Sequence, residues 1–90
     1  MNKKAKRFKI LIVDDHEVVR MGLRTLLERH EDLEIIGEAA SAQEAVDAAL
    51  KTLPDVVLMD VRLPDRSGIE ACREIRAAKP DIRVLMLTSY

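Results

Sequence analysis

The stretch PDVVLMDVRLPDRSGIEACREIR, residues 54–76, decides the fold. Val56, Val57, Leu58 and Met59 are apolar at successive positions, so an extended strand here buries both of its faces. Such runs belong to parallel sheets covered on both sides. The run leads into Asp60, and a loop containing Pro64 follows at residues 62–66. Ser67 and Glu70 then stand three apart, a capping-box pattern that opens a helix with Ile69, Cys72 and Ile75 expected inward. Pro80 and Asp81 break that helix.

The same alternation extends in both directions. Upstream, the apolar run at residues 8–13 reads as a strand. Residues 17–29 follow as a helix with Val19, Leu23, Leu26 and Leu27 on one face. Residues 34–39, with Ile35 and Ile36, form a second strand. Ser41 and Glu44 open a second helix, whose stripe is Ala45, Val46, Ala49, Leu50 and Leu53 and whose stop is Pro54. Downstream, residues 82–87 form a fourth strand. The order βαβαβαβ predicts an α/β fold with right-handed crossovers and an open parallel sheet.

Composition bounds the chemistry. Ninety residues suit one domain, and 48% apolar with 34% charged residues suits a packed core. The net charge of −1 supplies no general attraction to nucleic acid or membrane. The basic run Lys3, Lys4, Lys6 and Arg7 reads as a solvated N-terminal tail over residues 1–7. Cys72 is the single cysteine, which excludes an intrachain disulfide and a cysteine-rich zinc site. No apolar run has the length of a membrane span and no signal-peptide pattern follows the basic start, so a cytoplasmic protein with no membrane partner is expected. At 2% aromatic residues the chain lacks a stacking platform for single-stranded nucleic acid.

In open parallel sheets, ligands sit beyond the carboxyl ends of the strands. Strand one ends at Asp14 and Asp15, strand three at Asp60, and strand four at Thr88 and Ser89. If these strands are neighbours, three carboxylates and two hydroxyls meet. Oxygen ligands of this kind suit Mg²⁺, and a carboxylate beside it can attack phosphorus to form an aspartyl-phosphate. Taken singly, each aspartate caps a helix as readily as it binds a metal, and a lone strand-end Thr is more often without function. Their joint occurrence at three strand ends argues for a site. No GxxxxGK[ST] loop accompanies them. His16 and His30 lack ligand-spaced partners and read as surface or capping residues.

Three segments carry a family resemblance: KILIVDDHEVVRMGL at residues 9–23, the 54–76 stretch, and VLMLTS at residues 84–89. Together they resemble the receiver domains of bacterial two-component response regulators, specifically the NarL type whose output is a LuxR-type helix-turn-helix domain. The resemblance spans residues 8–90. It implies a flavodoxin-like, doubly wound sheet of the kind seen in the chemotaxis receiver, here with strand order 2-1-3-4. It implies that Asp60 takes a phosphoryl group from a sensor histidine kinase. Asp15, Asp60 and the backbone carbonyl of Arg62 would hold Mg²⁺, with Asp14 in support. Thr88 would be the switch hydroxyl and Ser89 the small residue that keeps the pocket open. Pro64 and Gly68 would shape the loop, and Arg62 and Tyr90 would slow loss of the phosphoryl group. The parent would dimerise on phosphorylation and reach DNA through its output domain, acting as a phosphoryl acceptor and not as a turnover enzyme.

Against the family pattern, a fifth strand with its lysine and aromatic residue, helices four and five, and the output domain are expected to be absent from these residues. This leaves an alternative, a non-switching interaction module that binds kinase or regulator without phosphotransfer. A Mg²⁺-dependent phosphohydrolase fits less well, because Asp60-Val61-Arg62 offers no second carboxylate as general acid. The strand Val84-Leu85-Met86-Leu87 would also be an unprotected edge, prone to self-association and expected to be blunted by a lysine at Met86.

Overall fold

The computed structural model describes residues 7–87. Its elements, in chain order, are β1 (Phe8–Val13), α1 (Glu17–Leu27), β2 (Leu33–Ala39), α2 (Ala42–Thr52), β3 (Val56–Asp60), α3 (Gly68–Ala78) and β4 (Arg83–Leu87). All strand pairs are parallel, and the sheet order is β2-β1-β3-β4. This is the doubly wound, flavodoxin-like arrangement expected. Element ends differ from the sequence reading by one or two residues. The first helix stops at Leu27, β2 starts one residue earlier, β3 runs on to Asp60, and β4 starts at Arg83.

Leu11 and Val13 of β1, Val57 and Met59 of β3, and Val84 and Met86 of β4 face one side. There they meet Ala42, Ala45, Val46 and Ala49 of α2 and Ala71 and Ile75 of α3. The small side chains of α2 let it lie close to the sheet. Ile10 and Ile12 are buried on the opposite side, which α1 covers. No residue of α1 is fully buried. Of its expected stripe, Leu23 and Leu27 are half-buried, whereas Val19 and Leu26 are exposed. Polar contacts supplement this packing. Glu38 of β2 accepts from Arg20 Nε at 2.9 Å and from Arg24 Nε at 2.8 Å, and Arg24 also pairs with Glu28 at 2.9 Å. The two guanidinium groups, Arg24 first, hold the Glu38 carboxyl below its usual range.

Three further inward assignments need correction. Ile69 is exposed, and Ala71, two residues on and on the opposite side of the helix, is buried instead. Leu50 is exposed on the rim of its helix, and Leu53 lies beyond the last turn as the C-cap. Leu53 adopts a left-handed backbone (φ 52°), because Pro54 prevents the helix from continuing. The caps themselves form. Ser41 Oγ accepts from Glu44 N–H at 3.1 Å, and Glu44 Oε1 accepts from Ala40 N–H at 2.9 Å. Ser67 Oγ caps α3 through Ile69 N–H at 3.0 Å rather than through Glu70.

Among the described residues, β4 pairs on one side only, with β3. Its alternation corrects the choice of blunting residue. Met86 is half-buried against the core, so a lysine there would lose water around its charge and disturb the packing, while Leu85 is 57% exposed on the other face. Leu85→Lys is therefore expected to lower self-association of the 90-residue chain with little loss of stability, whereas Met86→Lys destabilises it. Sedimentation velocity across a concentration series, with urea unfolding of each variant, checks both.

Candidate metal and phosphoryl site

The parallel register brings the site together. Val13 lies beside Met59 in the β1–β3 pairing, so the chain enters Asp14 where its neighbour reaches Asp60. Asp60 in turn lies level with Leu87, the last described residue of β4. Asp14 and Asp60 are the two buried charged residues among those described, at 4% and 1% exposure. Burying a carboxylate is costly even with hydrogen bonds to hold it, and two of them side by side in a small domain point to a site. Asp15 is more exposed and faces solvent at the rim.

Local hydrogen bonds orient these groups. Asp14 Oδ1 accepts from His16 N–H at 2.8 Å, which turns the chain out of β1 and into α1. The carbonyl of Asp14 accepts from Arg20 Nη1 at 2.6 Å, so the Arg20–Glu38 pair grips this turn from behind. Arg62 N–H donates to Asp60 Oδ1 at 3.2 Å, which draws the following loop toward the carboxylate. Val61 N–H donates to the Leu87 carbonyl at 3.2 Å, joining the ends of β3 and β4.

Donor atoms from Asp14, Asp15, His16 and Asp60 all lie within 4.8 Å of one another. Three carboxylates around an open rim form a hard oxygen donor set. Mg²⁺ accepts one or two carboxylates while keeping several waters, and this set fits that requirement. His16 is the member that sequence reading missed. It is the N-cap residue of α1, as a capping residue should be, but its side chain makes no cap bond. Instead Nδ1 donates to Asp14 Oδ1 at 2.8 Å and lies 3.0 Å from Asp15 Oδ1. The hydrogen bond to Asp14, then the charge of Asp15, raise the imidazole above its usual pKa. A histidine directly after two strand-end aspartates was the available signal, and motif spacing for zinc was the wrong test for it.

The remaining expected residues divide as follows. Arg62 and Pro64 are exposed on the loop. Gly68 is buried, and its N–H donates to the Val61 carbonyl at 2.8 Å. A Cβ at Gly68 would run into the Asp60 carbonyl and come within 3.1 Å of Met59 Cγ, so only glycine fits beneath the site. Cys72 is half-buried against the core, consistent with packing. Thr88, Ser89 and Tyr90 lie outside the described residues, as do Lys3, Lys4 and Lys6. Among the described residues, no helix is long and apolar enough to cross a membrane.

Comparison with known proteins agrees with this arrangement. Residues 10–90 match the response regulator receiver domain family. The chain is 51% identical over 82 residues to the DNA-binding transcriptional activator DevR/DosR of Mycobacterium tuberculosis, covering 91% of this chain and 38% of that protein. It is 46% identical to the response regulator protein VraR of Staphylococcus epidermidis, covering 91% of this chain and 39% of VraR. The chain thus spans less than two-fifths of the length of these relatives. A crystal structure of a LuxR-family two-component response regulator from Aurantimonas superposes with a TM-score of 0.89 at 42% identity, over 94% of this chain and 61% of that one. With the sheet order, the strand-end aspartates and the family match in agreement, the chain belongs to the response regulator receiver domains, of the kind found in LuxR-type transcriptional regulators.

Proposed function

We propose that Asp60 accepts a phosphoryl group from a sensor histidine kinase, with Mg²⁺ held beside it by Asp15, Asp60 and the Arg62 carbonyl. The observation that carries this reading is the meeting of Asp14, Asp15 and Asp60 at the ends of adjacent strands, with donor atoms within 4.8 Å. When bound, Mg²⁺ would neutralise charge on the transferring phosphoryl group. Asp60 supplies the nucleophile: one carboxylate oxygen forms a bond to phosphorus as the donor's bond to phosphorus breaks. Its Oδ1 is oriented by Arg62 N–H, which limits rotation of the carboxylate. Asp14 strengthens the negative field at the metal, and Arg20 keeps the turn that bears it in register. Thr88 donates its hydroxyl to a phosphoryl oxygen, and Ser89 leaves space for the donor.

The outcome is a modified protein, so the chain is an acceptor and not a turnover enzyme. Its setting is the cytoplasm. Its partners are the kinase and, after phosphorylation of the whole regulator, a second copy; promoter DNA is contacted by an output domain outside the matched region. Incubation with Mg²⁺ and radiolabelled acetyl phosphate tests the assignment. Label is expected in the unsubstituted protein and absent from Asp60→Ala. Retention of label in Asp60→Ala would overturn it.

A further inference from the structure

The loop between β3 and α3 is held both at its base, where Arg62 N–H also donates to Asp60 Oδ1, and at its tip. At its base, Gly68 N–H donates to the Val61 carbonyl. At its tip, Asp65 reaches across to a different helix. Its Oδ1 accepts from Ala42 N–H at 2.8 Å and its Oδ2 from Gln43 N–H at 2.9 Å, at sequence separations of 23 and 22. Arg66 reinforces the contact, with Nη2 donating to Gln43 Oε1 at 3.1 Å and pairing with Glu74 of α3 at 2.9 Å.

Helix α2 already has its own cap. Ser41 satisfies Glu44 N–H through its side chain and Ala45 N–H through its carbonyl. The first N–H groups of a helix have no partner within it. Asp65 completes the set by satisfying the two that Ser41 leaves. A carboxylate at that end is also favoured by the helix dipole. These two N–H groups hold Asp65 below the usual carboxylate range. A trans cap of this kind ties the mobility of the loop to that of α2.

We propose that Asp65 is a positioning residue for the acidic site, latching the loop tip to α2 and thereby fixing the backbone of Arg62. This rests on the reading of Asp15, Asp60 and the Arg62 carbonyl as a Mg²⁺ site. A backbone ligand has no rotamer of its own, so its position is set by the loop on either side of it. Mg²⁺ demands near-octahedral geometry. A loop tethered at one end only presents its carbonyl over a wider range, and the ion is held less well.

Titration calorimetry of Mg²⁺ into the whole chain tests this, with urea unfolding of every variant. Asp65→Ala is expected to weaken Mg²⁺ binding by roughly 10-fold, as losses of outer-shell support do. Asp65→Asn keeps one acceptor oxygen and recovers part of the loss. Ser41→Ala removes a cap from the same helix without touching the latch, so it lowers stability but binds Mg²⁺ normally. Affinity is reciprocal, so saturating Mg²⁺ in the unsubstituted chain should slow amide exchange at Ala42 and Gln43. That readout holds even if Asp65→Ala does not fold. Unchanged exchange at both amides, normal Mg²⁺ binding by Asp65→Ala, or an equal loss in Ser41→Ala would each overturn the latch. Absence of Mg²⁺ binding by the unsubstituted chain would overturn the site reading, and the latch with it.

Discussion

The Asp15→Ala chain is expected to bind Mg²⁺ at least about 100-fold more weakly than the unsubstituted chain, since loss of a direct ligand exceeds the 10–100-fold typical of outer-shell losses. Its stability should barely change. Asp15 is exposed at the rim, and among the described residues its ion pair is with His16 Nδ1, at 3.0 Å. Exposed pairs of that kind contribute little to folding. The site would keep Asp14 and Asp60, both buried and both oriented by backbone N–H groups, of His16 and Arg62 respectively. What it would lose is the carboxylate that faces incoming ions. Calorimetric titration beside urea unfolding separates the two quantities. Affinity and stability falling together would mean that Asp15 is a structural residue, and unchanged affinity would remove it from the ligand set.

Gly68→Ala is expected to reverse that pattern, costing about 3 kcal/mol of stability, at the upper end of the usual overpacking range. The added Cβ would collide with the Asp60 carbonyl oxygen, and Met59 Cγ, 3.1 Å away, leaves no room on the other side. Both neighbours are nearly fully buried, and the obstructing atom is backbone, so neither can swing clear. The easiest relief is outward movement of the start of α3. That movement breaks the Gly68 N–H bond to Val61 and slackens the loop carrying Arg62. Weaker Mg²⁺ binding should therefore accompany the lower urea midpoint. A fully stable Gly68→Ala chain would show that α3 can shift freely and that the close approach beneath Asp60 is not required.

Much of the fold was legible because the apolar pattern changes period so clearly. Val56 to Met59 read as a strand apolar on both faces, of which Val57 and Met59 are buried and Val56 and Leu58 half-buried, and Ser41 with Glu44 marked the start of a helix that Ser41 caps while Glu44 bonds back to Ala40 N–H. Pattern reading erred where a helix is not buried along its whole expected stripe. Ile69, Leu50 and Leu53 are apolar at the right spacing, but burial is set by what lies opposite, and Ala71 won the inward place on α3 because it lets the helix approach the sheet. The same limit applied to β4. Four apolar residues in a row did not reveal which pair faces the core, and the structure assigned Val84 and Met86 to it and left Leu85 outside.

The site shows the same division. By itself the sequence determined that carboxylates stand at the ends of strands one and three, because a strand's length and its terminal residue are local properties. It also carried the three motifs from which the receiver resemblance was drawn. Only the tertiary structure decided what those carboxylates touch. The strand order puts β1 beside β3, which turns two separate strand ends into one acidic cluster. It also carries Asp65 to the exposed N–H groups of α2. These contacts join residues as much as 46 positions apart in the chain, as between Asp14 and Asp60, and no local pattern records them. They arise because backbone and carboxylate groups must find partners wherever packing leaves them, and packing is a property of the whole sheet.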